Sequence, residues 1–117
     1  TMQAKGVVQT PPFIIKQIGE SVASEISCSH SITGYDNILW YKQDKHKALK
    51  LLGYLNLNYP YIENDVKEKI SFSGDGRQQS GLNISNLLLN DSAVYFCAAR
   101  ILSDKKPSEH LFHQVTF

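Results

Sequence analysis

No stretch of this sequence approaches the ~20 consecutive apolar residues that a membrane-crossing helix needs. The first six residues hold no apolar run of the kind a secretory leader carries. The chain is therefore expected to be a mature fragment from the outer side of a membrane, with any leader or anchor lying outside it. Charge of one sign is also scarce: twelve Lys and Arg stand against eleven Asp and Glu, a net charge of +1. That leaves no electrostatic basis for binding nucleic acid or an anionic membrane. Lys42, Lys45, Lys47 and Lys50 are interspersed with apolar and polar neighbours and read as a solvated strand–turn face. Helical periodicity beyond a single turn and internal repeats are both missing. Cysteine occurs only at positions 28 and 97, and tryptophan only at 40.

What is present is alternation. Val22, Ser24, Ile26 and Cys28 fall on one phase, and Ala23, Glu25, Ser27 and Ser29 on the other. This is the period of a strand with one buried face, with Ser24 as the weak point on the inner side. Residues 38–43 repeat the pattern, with Ile38 and Trp40 inward and Leu39, Tyr41 and Gln43 outward. Further strands are expected over residues 49–55, 69–73, 80–87 and 93–100. Residues 7–15 read as an edge strand broken by Pro11 and Pro12, which have no N–H for a ladder. In a sandwich, that break is where the first strand can pass between sheets. About nine short strands with turn signals every eight to twelve residues predict an all-β sandwich of two antiparallel sheets, formed by residues 1–117 as a single domain. Residues 1–6 form an N-terminal extension to it.

Trp40 follows Cys28 by twelve residues, Cys97 lies 69 residues beyond Cys28, and Tyr95 stands two before Cys97. A Cys…Trp…Cys framework with a tyrosine before the second cysteine is the pattern of an immunoglobulin-like sandwich, and this wide spacing suits its variable type. A bridge at these positions implies an oxidising compartment and contributes about 4 kcal/mol in the chain-entropy view.

The runs Val8-Gln-Thr-Pro11, Ile38-Leu-Trp-Tyr-Lys-Gln43, Leu49-Lys-Leu-Leu52 and Asp91-Ser-Ala-Val-Tyr-Phe-Cys-Ala98 together resemble the variable domain of a T-cell receptor β chain. The likeness runs from about Val7 to Arg100. Within that family, Lys69-Ile-Ser-Phe-Ser-Gly-Asp-Gly76 and Cys97-Ala-Ala99 resemble bony-fish chains. The resemblance implies a Cys28–Cys97 bridge with Trp40 against it. It also implies a tyrosine corner at Tyr95, and an Asp91–Lys69 ion pair weaker than one made by arginine's fork. Tyr41, Gln43, Leu51 and Phe96 are implied to meet an α-type variable chain, Gln43 bonding its counterpart there. Residues 29–37, 55–61 and 98–108 are implied as loops reading a peptide–MHC surface, with Tyr35, Asp36, Asn56, Tyr59, Tyr61, Arg100, Asp104, Lys105 and Lys106 as contacts. Tyrosine gives large contact area at little rotamer cost. A different reading makes the chain a non-rearranging innate or adhesion-type receptor that self-associates through the same sheet.

One part of the family pattern is missing. A rearranged chain carries Phe-Gly-x-Gly-Thr after its third loop, whereas this one has Phe112-His-Gln-Val-Thr-Phe117, so residues 101–117 are expected to form a third loop and an atypical last strand. No cofactor, metal or catalytic activity is expected. His110 and His113, three apart on a strand, fall on opposite faces. Gly74-Asp-Gly76 ends a strand with no helix after it, so it is no phosphate cradle. Bridged cysteines leave no thiol nucleophile. Asn83-Ile-Ser85 and Asn90-Asp-Ser92 are glycosylation sequons. Asn83, on the outward phase of its strand, is the favoured candidate, whereas Asn90 lies in a crowded turn.

Overall fold

The computed structural model describes residues 6–101 in full and the backbone of 109–115. Among the described residues there are nine strands: β1 (Val7–Thr10), β2 (Val22–His30), β3 (Asn37–Gln43), β4 (Leu49–Asn56), β5 (Tyr59–Ile62), β6 (Ile70–Asp75), β7 (Gln79–Ile84), β8 (Ala93–Arg100) and β9 (Glu109–Val115). They form two antiparallel sheets, one ordered β1-β2-β7-β6 and the other, the front sheet, β5-β4-β3-β8-β9. This is the two-sheet sandwich the alternation predicts, and the Cys28–Cys97 disulfide joins the sheets with an S–S distance of 2.09 Å.

Trp40, Cys28, Cys97, Ile26, Leu82, Ile84 and Tyr95 belong to one buried cluster. Two polar features finish it. The Trp40 indole N–H donates to Ser80 Oγ at 2.9 Å, and buried Gln9 donates from Nε2 to the Tyr95 carbonyl at 2.8 Å. A buried indole N–H left without an acceptor would cost about 1–3 kcal/mol, so the small polar Ser80 serves the core better there than an apolar residue.

Three expectations change. Ser24 does not face inward: the β2–β7 register shifts between Ala23 and Ile26, and Ser24 takes a positive φ of 64°. The bulge turns it out, where its hydroxyl meets Ser73 Oγ and Asn83 Oδ1, each at 2.9 Å. Two extra residues on β2 thus remove a polar group from the core and, being an even number, keep Val22 and Ile26 on the same phase. Second, β1 stops at Thr10 and residues 11–18 form no strand, because two successive prolines withhold ladder donors. Third, residues 55–61 are mostly hairpin rather than loop tip, since β5 pairs with β4 from Asn56↔Tyr59 to Gly53↔Ile62. Pro60 is tolerated because β5 is an edge strand. Gly53 makes the close pairing possible: its φ is 149°, and a Cβ there would lie 2.2 Å from the Tyr61 carbonyl oxygen.

Candidate functional site

The register sets one end of the sandwich apart. β3 starts at Asn37 opposite Arg100, the last residue of β8, so the segment before β3, the end of β8, the β4–β5 turn and the β6–β7 turn all gather there. A chain of hydrogen bonds ties them. The Leu57 N–H donates to the Asp36 carbonyl at 2.9 Å, the Gly76 N–H to the Leu57 carbonyl at 2.7 Å, and the Asp36 N–H to the Arg100 carbonyl at 3.3 Å. His30 Nε2 lies 2.8 Å from the Gly76 carbonyl. Because a carbonyl only accepts, that nitrogen carries the proton, leaving Nδ1 free to accept from the Ile32 N–H at 3.2 Å. Gly76 sits at the centre of this lattice. A Cβ there would fall 2.4 Å from both the Asp36 and the Leu55 carbonyl oxygens.

The predicted contact residues divide on this frame. Tyr59 and Tyr61 are 62% and 52% exposed. Tyr61, though, lies in β5 and stacks on Tyr54 with centroids 4.9 Å apart. Arg100 stands 5.3 Å over the Tyr54 ring and donates from Nε to Asn37 Oδ1 at 3.2 Å. Tyr61, Tyr54 and Arg100 thus form one aromatic–cation cluster rather than separate loop tips. Tyr35 is half-buried, packs against the core and tilts against His30 at 6.1 Å, so much of its ring supports the first loop. Asp36 and Asn56 are half-buried. Asp104, Lys105 and Lys106 lie outside the described residues, as does most of the N-terminal extension. An open cleft of about 590 Å³ runs along the loop end, lined in part by Ile32, Tyr35, Leu57 and Arg77. Arg77 clamps Asp75 with two bonds, at 3.0 and 2.6 Å, and holds that carboxyl well below the ordinary carboxylate range, at about 2.

On the front sheet, Tyr41 stands in register with Leu51 on one side and Phe96 on the other. All three are half-buried and none belongs to the core cluster. Gln43 pairs with Leu49, which is 56% exposed and extends the same face. The Gln43 Nε2 donates within its own chain, to the Lys47 carbonyl at 3.1 Å. Partial burial pushes the Tyr41 hydroxyl's titration up, against the opposing charge of Arg100. Leu39, on the outward phase, is nevertheless only 2% exposed. It stands opposite Tyr54 and Ala98.

At the other end, Tyr95 donates from its hydroxyl to the Asp91 carbonyl at 2.6 Å, and burial raises the tyrosine's titration far above its ordinary value. Asp91 is itself buried. Its Oδ2 accepts from Lys69 Nζ and from the Leu88 N–H, both at 2.7 Å, while Lys42 Nζ stands 4.0 Å from Oδ1. Lys42 was not legible as a partner, because its strand phase places it among solvated lysines. Among the described residues, no three His, Cys, Asp or Glu side chains converge on a metal site.

Residues 9–117 match the Immunoglobulin V-set domain family. The chain is 37% identical over 93 residues to human T cell receptor beta variable 3-1, covering 80% of this chain and 79% of that one. It is 36% identical over 102 residues to human T cell receptor beta variable 5-1, with 82% of each covered. One chain of the solved structure reported as "Structural basis of T cell specificity and activation by the bacterial superantigen toxic shock syndrome toxin-1" superimposes with a TM-score of 0.80 at 26% identity. That alignment covers 97% of this chain and 98% of the other.

Proposed function

The chain belongs to the immunoglobulin V-set family, among the T-cell receptor β variable domains, and from that premise we propose that it reads a peptide–MHC surface while paired with an α-type variable chain. The domain performs no chemistry. Recognition rests on the tied loop end, with the Tyr61–Tyr54–Arg100 cluster and exposed Tyr59 as its contact groups, and it takes place on the outer side of the plasma membrane. The observation that carries the reading is the cross-strand row Leu51–Tyr41–Phe96, bordered by exposed Leu49: apolar groups on an open sheet face outside the core mark a partner surface.

A charge in that row tests the proposal. Leu51→Lys is expected to weaken binding to an α-type variable domain at least tenfold in a titration, because the lysine must be desolvated without a counter-charge. Leu89→Lys, at the far end, is expected to leave binding unchanged. Equal binding by wild type and Leu51→Lys would remove the front sheet as the seam.

A second reading, a self-associating receptor, draws on a different observation. β9 pairs along β8, with Phe96↔Phe112 in register, although the glycines of the joining pattern are replaced by His113 and Val115. The front sheet is therefore complete without the joining pattern.

A further inference from the structure

Of the two sequons, strand phase favours Asn83, yet the surroundings of the two asparagines point the other way. Asn83 lies in β7, an inner strand, between Ala23 of β2 and Ser71 of β6. Both polar atoms of its amide are engaged: Nδ2 donates to Ser71 Oγ at 3.1 Å and Oδ1 accepts from Ser24 Oγ at 2.9 Å. The sequon serine is tied as well, Ser85 Oγ reaching the Lys69 carbonyl at 3.4 Å.

Asn90 is exposed, in the turn Leu89–Asp91, of which Asp91 alone is buried. Its backbone carbonyl accepts from Lys42 Nζ at 2.9 Å, which holds the turn, while its side-chain amide makes no hydrogen bond among the described residues. Ser92, the sequon hydroxyl, is exposed. Beside it, Leu88 and Leu89 are 50% and 79% exposed and, with His46, line an open cleft of about 690 Å³.

We propose that Asn90, rather than Asn83, carries an N-linked glycan, an inference that rests on the extracellular reading above. The Asn90 amide nitrogen attacks the anomeric carbon of a lipid-diphosphate-linked oligosaccharide. The N–C1 bond forms, the C1–O bond to diphosphate breaks, the lipid diphosphate leaves with the electron pair, and the amide proton passes to a base of the transferase. Transfer happens as the chain enters the secretory lumen, so the fold decides which glycosylated molecules mature. A sugar on Asn83 Nδ2 replaces one of its two N–H groups and crowds the Ser71 and Ser24 hydroxyls bonded to that amide, and such molecules are depleted from the secreted pool. A sugar on Asn90 breaks nothing. It also lies over Leu88 and Leu89, whose bare apolar surface it shields, and it leaves the loop end and front sheet uncovered.

The test is to secrete the chain from cultured animal cells and weigh it intact, before and after enzymatic removal of N-glycans, with free thiols alkylated. Wild type and Asn83→Gln are expected to carry one glycan. Asn90→Gln and Ser92→Ala, which leaves the asparagine in place, are expected to carry none. A bridged wild type without glycan, or glycan persisting in both Asn90→Gln and Ser92→Ala, would overturn the proposal alone. Unbridged cysteines together with no glycan would overturn the extracellular reading as well.

Discussion

At Asp91 two cations and a backbone N–H converge on one buried carboxylate, with Lys69 in contact and Lys42 at the margin. A single lysine lacks arginine's fork, so a weak clasp is what the sequence predicts. The structure answers with a second lysine from β3, brought in from 49 positions away. Removing the contacting cation leaves a buried charge, so Lys69→Met is expected to cost about 2–3 kcal/mol in chemical denaturation. Lys42→Met is expected to cost less than about 1 kcal/mol. Equal losses would show that the two share the charge evenly. Asp75 carries a pH signature. Its carboxyl sits below the ordinary value in the folded state, mainly through the Arg77 side-chain bond. The pair's contribution is therefore full above pH ~4 and is lost as pH falls toward about 2. Asp75→Asn is expected to flatten the melting temperature over that window. The effect is small because the pair is exposed and screened by salt. An unchanged slope would remove the pair from the acid response.

Among the elements, the β6–β7 turn does more than join two strands. It braces the first loop through His30 and the β4–β5 turn through Leu57. Gly76→Ala places a methyl group against two carbonyl oxygens at 2.4 Å, and is expected to destabilise by about 2–4 kcal/mol. Faster amide exchange at Ile32, Asp36 and Leu57 is expected to accompany the loss, and exchange faster everywhere alike would mean that the brace is not local. The strands themselves were largely legible, because alternation and turn residues are local signals. The brace was not: it depends on four segments distant in sequence meeting at one glycine, which reads from sequence merely as a turn residue. The Ser24 bulge and the conversion of residues 55–61 into a hairpin escaped for the same reason. A register shift shows only when the partner strand is placed, and Tyr59-Pro-Tyr61 looks like a loop until an edge position makes its proline harmless.

For the whole molecule, the Cys28, Trp40, Tyr95 and Cys97 framework carried the fold, because those residues define the contact between sheets. The two proposed surfaces were legible to different depths. The front-sheet row followed from strand phase, and Tyr41, Leu51 and Phe96 do stand in cross-strand register, while Leu49 joined them only once the β4 register was known. The loop end was harder to read, since exposed tyrosines look alike in sequence whether they stack on a neighbour, as Tyr61 does on Tyr54, or brace a loop, as Tyr35 does. Both surfaces serve recognition only if the front sheet is covered by a second variable domain. The direct test is the mass of the non-reduced domain by light scattering over a range of concentrations, with and without an α-type variable partner. The account predicts a monomer that becomes a one-to-one complex when the partner is added. A homodimer that persists at every concentration and ignores the partner would contradict it.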